Sequence, residues 1–269
     1  MLEKSPLGKE TEYKTQYSPD LLFAIARRVG RDALGLPEPL PFSGVDLWTG
    51  YELSWLNTKG KPQVAAAEFI VPAASKFLVE SKSLKLYLNS FNGTRFASKV
   101  EVESCIRRDM SKAADCAVGV KLFDVSAFQT TAEELAGECI DDLDVSIESC
   151  NVEPKFLTAS GFIVEETLRS NLLKSNCPVT GQPDWAAIMI HYSGPKIDRA
   201  GLLKYIVSFR DHSGFHEQCV EQIFSDIKAL CRPERLTVYA RYTRRGGLDI
   251  NPFRSDFEDA PPNRRTFRQ

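Results

Sequence analysis

Tyr87-Leu88-Asn89-Ser90-Phe91-Asn92 is matched further along the chain by Tyr205-Ile206-Val207-Ser208-Phe209-Arg210, an offset of 118 from position 87 to position 205. The same offset places Val118-Gly119-Val120 on Leu236-Thr237-Val238. A repeat of this length predicts two tandem copies of one supersecondary unit. The 269 residues of the chain give each copy the size of an ordinary domain.

The order of predicted elements is the same in the two copies. Strand-like residues from Trp48 to Leu56 and from Val64 to Val71 flank Asn57-Thr58-Lys59-Gly60, which predicts a β-hairpin. Periodicity predicts further strands at Val118 to Val125, Phe162 to Leu173, Trp185 to Tyr192, Leu236 to Tyr242 and Leu248 to Pro252, and helices at Ser83 to Phe91, Lys99 to Ala114, Gly201 to Phe209 and His216 to Leu230. We therefore expect an α+β fold in which each copy is an antiparallel sheet with two helices on one face.

The first 45 residues differ in character from the two copies. Ser18-Pro19-Asp20 is a helix-start signal, and apolar residues between Leu21 and Val29 predict an N-terminal helix after it. Three prolines between Gly35 and Gly44 predict a linker. The predicted division is 1–45 for the N-terminal helix and linker, 46–155 for the first copy and 156–269 for the second.

The composition is ordinary for a soluble protein, with 43% hydrophobic and 26% charged residues. A formal net charge of -2 supplies no basic field, so we expect no direct binding of nucleic acid. The N-terminus lacks the apolar core of a signal peptide, and no apolar run is long enough to span a membrane. The seven cysteines form no CxxC pair, which favours free thiols in a reducing cytoplasm.

Cys177 lies in a proline-stiffened loop between two predicted strands, Ser175-Asn176-Cys177-Pro178-Val179-Thr180-Gly181-Gln182-Pro183-Asp184-Trp185. Loops held by a rigid scaffold commonly carry nucleophiles, and the thiolate is the reactive form of cysteine. Asp184 follows seven residues later, so a turn would return its carboxylate toward the sulfur. The alternative for Cys177 is a small buried hydrophobe, which is what we expect of the other six cysteines.

Two acids lie at the starts of predicted helices, one in each copy. Glu80 precedes a helix of the first copy, and Glu217 follows His216 at the start of a helix in the second. Helix capping and a favourable dipole interaction explain both acids without a function. The functional alternative makes the carboxylates acceptors for ring N–H and amino groups, with His216 handling protons. The first copy has Ala97-Ser98 in place of His216-Glu217, so each copy would contribute what the other lacks to one site.

A hairpin turn, which Gly-Gly favours, is the first explanation of Arg244-Arg245-Gly246-Gly247. The alternative is that this segment binds a phosphate group. The sequence contains no GxGxxG and no GxxxxGKS motif, so a nicotinamide cofactor would not be held by a Rossmann or P-loop device. His216 and Cys219 lie three residues apart and, with Cys177, form a weak candidate set of metal ligands.

Four blocks of the sequence together resemble the 7-cyano-7-deazaguanine reductases, the NADPH-dependent nitrile reductases of queuosine biosynthesis. The blocks are Glu80-Ser81-Lys82-Ser83-Leu84-Lys85-Leu86-Tyr87, Ser175 to Asp184, Phe215-His216-Glu217 and Arg244 to Pro252. The resemblance runs from about Trp48 to the C-terminal tail. It implies two tandem tunnelling folds, a homodimer, and reduction of the nitrile of 7-cyano-7-deazaguanine to an aminomethyl group with two NADPH, in tRNA queuosine biosynthesis.

The resemblance also implies a role for each matched residue. Cys177 is expected to attack the nitrile carbon, Asp184 to protonate the nitrogen and His216 to move protons later, with a covalent thioimide on the cysteine as intermediate. The residues expected to bind the base are Leu78, Val79, Glu80, Phe215, His216 and Glu217. The residues expected to bind NADPH are Ser81, Lys82, Arg245 and Gly246. No metal is expected.

Two other functions stay open. One is a zinc-dependent GTP cyclohydrolase-like enzyme of the same fold, with Cys177, His216 and Cys219 as metal ligands. The other is a non-catalytic module that binds a purine or a pterin. Stoichiometric zinc with GTP hydrolysis would favour the first, and ligand binding without turnover would favour the second.

Overall fold

The computed structural model describes residues 13–126, 132–147 and 149–269. The chain divides into two compact units, and neither is contiguous in sequence. Unit 1 comprises the described residues of Met1–Ala33, Val45–Thr131 and Arg244–Ile250, and unit 2 those of Leu34–Gly44, Ala132–Thr243 and Asn251–Gln269. The boundaries 1–45, 46–155 and 156–269 concern the sequence repeat, and they stay a prediction.

The described residues contain ten strands and five α-helices. In chain order these are β1 (Ala24–Ala26), α1 (Arg27–Ala33), β2 (Ser43–Leu56), β3 (Pro62–Pro72), β4 (Phe77–Val79), α2 (Ser81–Asn89), α3 (Lys99–Ala114), β5 (Gly119–Phe123), β6 (Glu138–Cys139), β7 (Ala159–Asn176), β8 (Pro183–Ile197), α4 (Arg199–Val207), α5 (His216–Cys231), β9 (Arg235–Tyr242) and β10 (Leu248–Ser255). Every strand and helix predicted from Trp48 onward is present, which confirms the α+β class. Within the described ranges, none of the helices combines the length and the apolar character that a membrane span requires.

Unit 1 is built on three antiparallel strands in the order β5-β3-β2. Alternate residues of β3 from Ala65 to Val71 enter the apolar core, because successive side chains of a strand point to opposite faces. Helices α2 and α3 complete the same core with residues such as Leu84 and Ile106, both fully buried. Unit 1 therefore has the predicted form, an antiparallel sheet with two helices packed on one face.

Unit 2 contains the strand order β9-β8-β7-β6, and residues 253–255 of β10 pair with β9. The pairings are antiparallel except between β6 and β7. In β8, Ile188 and Ile190 point into a core shared with α4 and α5, whereas Met189 and His191 alternate with them and lie outside that core. Helices α4 and α5 thus cover one face of the sheet, as predicted.

Each unit contains its own tyrosine–aspartate contact between two helices. In unit 1 the Tyr87 hydroxyl donates to Asp109 Oδ2 at 2.7 Å. In unit 2 the Tyr205 hydroxyl donates to Asp226 Oδ2 at 2.6 Å. The same pair of residue types joins α2 to α3 in unit 1 and α4 to α5 in unit 2. The repeat is therefore seen in the structure as well as in the sequence.

A second repeated contact precedes each sheet. In unit 1 the Ser18 N–H donates to Ser90 Oγ at 3.2 Å, and in unit 2 the Glu153 N–H donates to Ser208 Oγ at the same distance. Both donors are followed by a single 3-10 turn. The turns are Pro19–Leu21 and Pro154–Phe156. The segment around Ser18 is thus the start of the first structural repeat.

The predicted start of the N-terminal helix, directly after Ser18, is wrong. Only the 3-10 turn forms there, and the α-helix begins at Arg27. Between them β1 pairs antiparallel with β4. Pairing with a strand in the tertiary structure overrides a local helix-start signal. The expected apolar stripe also fails at Val29, whose side chain is 59% exposed.

The segment predicted as a linker is part of unit 2 and contributes to its core. Phe42 is buried, and its ring lies 5.3 Å from that of Phe224, centroid to centroid. The Arg254 guanidinium lies 5.7 Å from the centroid of the same ring. An aromatic anchor of this kind fixes the proline-rich segment to the core of unit 2.

Candidate active site

The loop that carries Cys177 is a closed turn at the end of the β7–β8 hairpin. The hairpin register places Ser175 opposite Asp184. The Cys177 N–H donates to the Gln182 carbonyl at 2.9 Å, and the Gly181 N–H donates to the Cys177 carbonyl at 3.0 Å. Gly181 has φ +68°, a conformation that a residue without Cβ adopts without strain. The turn fixes the backbone of Cys177 and returns Asp184 to the same end of the hairpin. That the Asp184 carboxylate faces the sulfur stays a prediction.

Cys177 is buried but does not belong to the apolar core cluster of unit 2. Its exposed fraction is 3%, similar to the 0% of Cys219 and the 2% of Cys231, which are members of that cluster. Burial raises the pKa of the Cys219 thiol to about 12 and that of Cys231 to about 11, so both stay neutral at physiological pH. The surroundings of Cys177 therefore differ from those of the two core cysteines.

The segment that precedes α5 is held against the end of β7. The Asn176 N–H donates to the His212 carbonyl at 2.8 Å, and the Gly214 N–H donates to the Asn176 carbonyl at 3.1 Å. Burial lowers the pKa of His212, which keeps that imidazole neutral. Helix α5 consequently begins, at His216, close to the residue that comes before Cys177.

His216 and Asp184 form a buried pair in unit 2. His216 Nε2 lies 3.3 Å from Asp184 Oδ2, and the two side chains are 13% and 6% exposed. The imidazole stacks on the ring of Tyr242, with centroids 3.7 Å apart and an interplanar angle of 1°. A carboxylate and an imidazole at this separation can hold one proton between them and pass it on. The catalytic roles of Asp184 and His216 stay a prediction, and the structure brings the two together.

Phe215 and Glu217 flank His216 at the start of α5. The Phe215 N–H donates to Gln218 Oε1 at 3.3 Å, which fixes the entry to the helix. Glu217 lies in the first turn and is 4% exposed. The helix dipole favours a carboxylate at this end. Both residues lie on the same helix turn as His216, and their contact with a base stays a prediction.

Glu80 caps helix α2 in unit 1. Its Oε1 accepts from the Lys82 N–H at 2.6 Å and its Oε2 from the Ser83 N–H at 2.9 Å. The capping explanation drawn from the sequence is therefore confirmed. Leu78 and Val79 precede it in β4, where they are buried and pair with β1. Base binding by Leu78, Val79 and Glu80 stays a prediction.

The residues predicted to bind NADPH lie close to α2 in unit 1. Ser81 and Lys82 form the first turn of α2, and Lys85 follows one turn later. Gly246 lies against this helix, because a Cβ placed on it would be 3.0 Å from Lys85 Nζ. The turn that begins at Arg245 has both of its glycines at positive φ, which confirms the predicted hairpin turn.

The metal-site alternative receives no support from the cysteine it needs. Cys219 is fully buried in the apolar core, and its raised pKa disfavours the thiolate that a metal would bind. Across residues 13–126, 132–147 and 149–269, no group of three or more His, Cys, Asp and Glu side chains is arranged to hold a metal ion.

Two residues of this site escape sequence reasoning. Lys174 Nζ donates to Asn176 Oδ1 at 2.7 Å and to the Arg210 carbonyl at 2.5 Å. It thereby links the end of β7 to the segment before α5. Tyr242 stacks on His216. Strand alternation is the one available signal for Tyr242, since it places this residue on the core face of a strand, but alternation does not name a contact partner.

Two family models match the chain. One, described as "Nitrile reductase, 7-cyano-7-deazaguanine-reductase N-term", matches residues 13–122, and one described as "QueF-like protein" matches residues 183–260. A protein of Azoarcus sp. (strain BH72) named NADPH-dependent 7-cyano-7-deazaguanine reductase is 58% identical over 96% of this chain and 92% of its own length. The chain belongs to the 7-cyano-7-deazaguanine reductase family.

Further members of the 7-cyano-7-deazaguanine reductase family match over nearly the whole chain. Proteins of that name from Chromobacterium violaceum and Burkholderia pseudomallei are each 56% identical over 99% of this chain, and the matches cover 97% and 99% of their own lengths. A solved structure, an archaeosine synthase QueF-Like in the apo form, covers 37% of this chain and 96% of its own, with 19% identity and a TM-score of 0.31. Family membership rests on the near full-length relatives.

Proposed function

We propose that this chain reduces the nitrile of 7-cyano-7-deazaguanine to the aminomethyl base with two molecules of NADPH, in queuosine biosynthesis. The observation that carries the proposal is in unit 2, where one hairpin end holds Cys177 on a fixed turn and Asp184 beside His216. A nitrile carbon is a poor hydride acceptor, so its reduction calls for a nucleophile at carbon and an acid at nitrogen. Cys177 and Asp184 are residues of those two types.

The first step is covalent addition. The Cys177 thiolate attacks the nitrile carbon and a carbon–sulfur bond forms while one bond of the triple bond breaks. Asp184 transfers a proton to the nitrogen, and the product is a thioimide on Cys177. His216 Nε2, 3.3 Å from Asp184 Oδ2, can then restore the proton to the carboxylate. Addition of S–H across the nitrile needs no other reagent.

The later steps consume two hydrides and one proton; with the proton that Asp184 gave to the nitrogen in the first step, the whole reaction consumes two hydrides and two protons. NADPH, when bound, supplies the hydrides, one for each reduction. After the thioimide carbon is reduced, the carbon–sulfur bond breaks, Cys177 leaves as a thiolate and an imine remains for the second reduction. The Asp184–His216 pair handles the protons of these steps, because both groups can be protonated and they lie side by side.

Base recognition is assigned to carboxylates and an aromatic ring. A guanine-like edge offers a ring N–H and an exocyclic amine, and one carboxylate accepts from both in a bidentate contact. Glu217 is buried next to His216 and has the chemistry for this contact, with Phe215 available for stacking. Glu80, Leu78 and Val79 of unit 1 are assigned to the same base from the family resemblance.

The turn at Arg245 has features that fit the phosphates of NADPH. The backbone of Gly246 lies close to the Lys85 side chain: a Cβ built on Gly246 would be 3.0 Å from Lys85 Nζ. The backbone of the turn is therefore next to a cationic group. Phosphate oxygens accept from such donors, and guanidinium groups bind them with two parallel hydrogen bonds. We assign Ser81, Lys82, Arg245 and Gly246 to the cofactor.

Arg245→Ala is expected to raise the KM for NADPH about tenfold and to leave kcat within about twofold, because a charge-assisted contact with the cofactor is lost while Cys177 is untouched. Steady-state kinetics with varied NADPH measure this. The matched control is Arg244→Ala, since the Arg244 guanidinium lies 4.5 Å from the ring centroid of Tyr51 and is assigned no phosphate. An unchanged KM in Arg245→Ala, or an equal rise in the control, would remove Arg245 from the cofactor site.

We further propose a cytoplasmic homodimer that binds the small-molecule base and no nucleic acid directly. None of the seven cysteines, all of which the structure describes, forms a disulfide, which suits a reducing compartment. The formal net charge of -2 argues against a nucleic-acid surface. Light scattering coupled to size-exclusion chromatography tests the dimer.

The proposed function is tested by stoichiometry. With excess nitrile base, the loss of NADPH absorbance is expected to equal two molecules for each aminomethyl product counted by mass spectrometry. The control replaces the nitrile by the same base without a cyano group, which should consume no NADPH. Hydrolysis of GTP in the presence of stoichiometric zinc, without NADPH oxidation, would instead establish that the protein is a cyclohydrolase-like enzyme. Tight binding of the base with no product would establish a binding module.

A further inference from the structure

The orientation of His216 is not explained by its polar contacts. A proton-transferring histidine is usually oriented by a hydrogen bond at its second ring nitrogen. In the described part of the chain, His216 Nδ1 is buried and has no hydrogen-bond partner. Its other nitrogen, Nε2, faces Asp184 Oδ2 at 3.3 Å. The polar contact of the ring is therefore with Asp184, its proposed partner in proton transfer. A different contact must set the plane of the imidazole.

The ring of Tyr242 sets that plane. The two rings are parallel within 1° and their centroids are 3.7 Å apart, which is van der Waals contact over the whole face. Rotation of the imidazole about its bond to Cβ would drive an edge of the ring into the tyrosine. Because Tyr242 is fully buried, it has no room to retreat.

The hydroxyl of Tyr242 has no part in this contact. The hydroxyl is buried away from solvent. It lies beside Ser175 and Cys219, and burial raises the pKa of Tyr242 well above its ordinary value, so the phenol stays neutral. The flat ring is the feature that acts on His216.

Tyr242 is itself fixed by Asn251 and Gln269. The Tyr242 N–H donates to Asn251 Oδ1 at 3.1 Å, and Gln269 Nε2 donates to the Tyr242 carbonyl at 2.8 Å and to Asn251 Oδ1 at 2.7 Å. Gln269 is 5% exposed, so these bonds are shielded from water. Gln269 Oε1 accepts from Arg241 Nε at 2.9 Å, which holds the amide in place. The end of β9 is thus bound on both sides of its backbone.

We propose that Tyr242 is a positioning residue for proton transfer: its ring holds the His216 imidazole with Nε2 toward Asp184, and Gln269 and Asn251 hold Tyr242. This inference rests on the proposed function for one point, that the proton is delivered to the nitrogen of a nitrile substrate. The geometric part, a stacked ring that orients His216, does not.

The experiment compares Tyr242→Leu with Tyr242→Phe. Tyr242→Leu removes the flat ring and is expected to lower kcat about tenfold or more with little change in the KM for either substrate, since a misplaced proton donor slows chemistry and not binding. Tyr242→Phe keeps the ring and is expected to retain most of the wild-type kcat. The chain has only three histidines, so the imidazole C–H signals of His216 can be assigned by NMR and followed in each variant. They should move downfield in Tyr242→Leu, where the shielding ring is lost, and stay in place in Tyr242→Phe.

Tyr192→Leu is the matched control for the loss of a buried tyrosine. Tyr192 is also fully buried in unit 2, and its hydroxyl donates to Glu166 Oε1 at 2.5 Å, away from His216. Thermal unfolding should show a loss of stability in both leucine variants, and the His216 signals and kcat should change only in Tyr242→Leu. If Tyr242→Leu does not fold, Gln269→Ala decides, because it keeps the ring and removes the contact that fixes it. The His216 signals are expected to shift or broaden in that variant.

Unmoved His216 signals with normal kcat in Tyr242→Leu, or in Gln269→Ala where the first does not fold, would overturn the proposal. Equal losses in Tyr242→Phe and Tyr242→Leu would also overturn it, since the hydroxyl would then be the active feature. Wild-type protein that reduces no nitrile but shows the predicted NMR changes would contradict the proposed function and leave the stacking role standing. Wild-type protein that reduces the nitrile, together with Tyr242→Leu that has normal kcat and unmoved His216 signals, would support the proposed function and contradict the role of Tyr242.

Discussion

Cys177→Ala is expected to lower nitrile reduction at least about a thousandfold, which is the scale of loss when an enzyme is deprived of its nucleophile. Without the sulfur, hydride would have to add directly to the nitrile and leave a strongly basic nitrogen anion. The turn around Cys177 is closed by backbone hydrogen bonds from Cys177 and Gly181, so an alanine fits without disturbing it. NADPH oxidation measures the rate, and intact-protein mass measures the covalent step.

The mass measurement is made with the nitrile base and no NADPH. Wild-type protein should gain the mass of one whole base molecule, because thiolate addition has no leaving group, and Cys177→Ala should gain nothing. Cys116→Ala is the matched control, since Cys116 is a half-buried free thiol in unit 1 with no proposed role. It should form the adduct and turn over normally. Adduct formation in Cys177→Ala, or turnover close to the wild-type rate, would exclude Cys177 as the nucleophile.

Asp184→Asn is expected to slow formation of the thioimide by about 10² to 10⁴, the usual contribution of a general acid. The asparagine side chain has nearly the same shape but no proton of suitable acidity to give to the nitrile nitrogen. His216 keeps a hydrogen-bonding neighbour at about the same place, so the fold and the Tyr242 stack should persist. Adduct growth is followed by intact mass after rapid mixing without NADPH, and binding of the base is measured by calorimetry.

The binding measurement separates the role of Asp184 from a structural one. The dissociation constant of the base should change less than about threefold in Asp184→Asn, because the assigned base contacts are elsewhere. Asp198→Asn is the control: Asp198 caps α4 through the Gly201 N–H at 2.9 Å, and asparagine caps a helix equally well. Its adduct should form at the wild-type rate. A normal adduct rate in Asp184→Asn would remove this residue from the proton-donor role.

The local pattern of the sequence was sufficient for most of the secondary structure. Helix α3 occupies Lys99–Ala114, the range predicted from periodicity, and the turn of Gly246 and Gly247 was predicted from the conformational freedom of glycine. These features depend on residues only a few positions apart. The repeat was also readable, because equivalent positions in two similar cores require similar residues. Tyr87 and Tyr205 illustrate this, each bonded to its own aspartate.

The candidate site was predicted in part for a different reason. The loop around Cys177 was located from its prolines and glycine, and Asp184 was placed near it because a hairpin returns the chain. The contact of His216 with Asp184 was not derivable from spacing, since 32 positions separate residues 184 and 216 in the sequence. The family resemblance implied only that both residues take part in one reaction. The structure shows the contact, with the segment before α5 held to the end of β7 by the hydrogen bonds of Asn176.

The sequence by itself determined that this chain has two α+β copies and a rigid cysteine loop, since periodicity, turn residues and internal similarity are all local or repeated signals. Only the tertiary structure decided that Ala24–Ala26 pairs with β4, so that the α-helix begins only at Arg27, and that Tyr242 lies flat against His216. Each of these outcomes is a competition between a local preference of a few tenths of a kcal/mol per residue and the burial of whole side chains, worth about 1.5–3 kcal/mol each. Burial depends on which surfaces meet, and no short stretch of the chain contains that information.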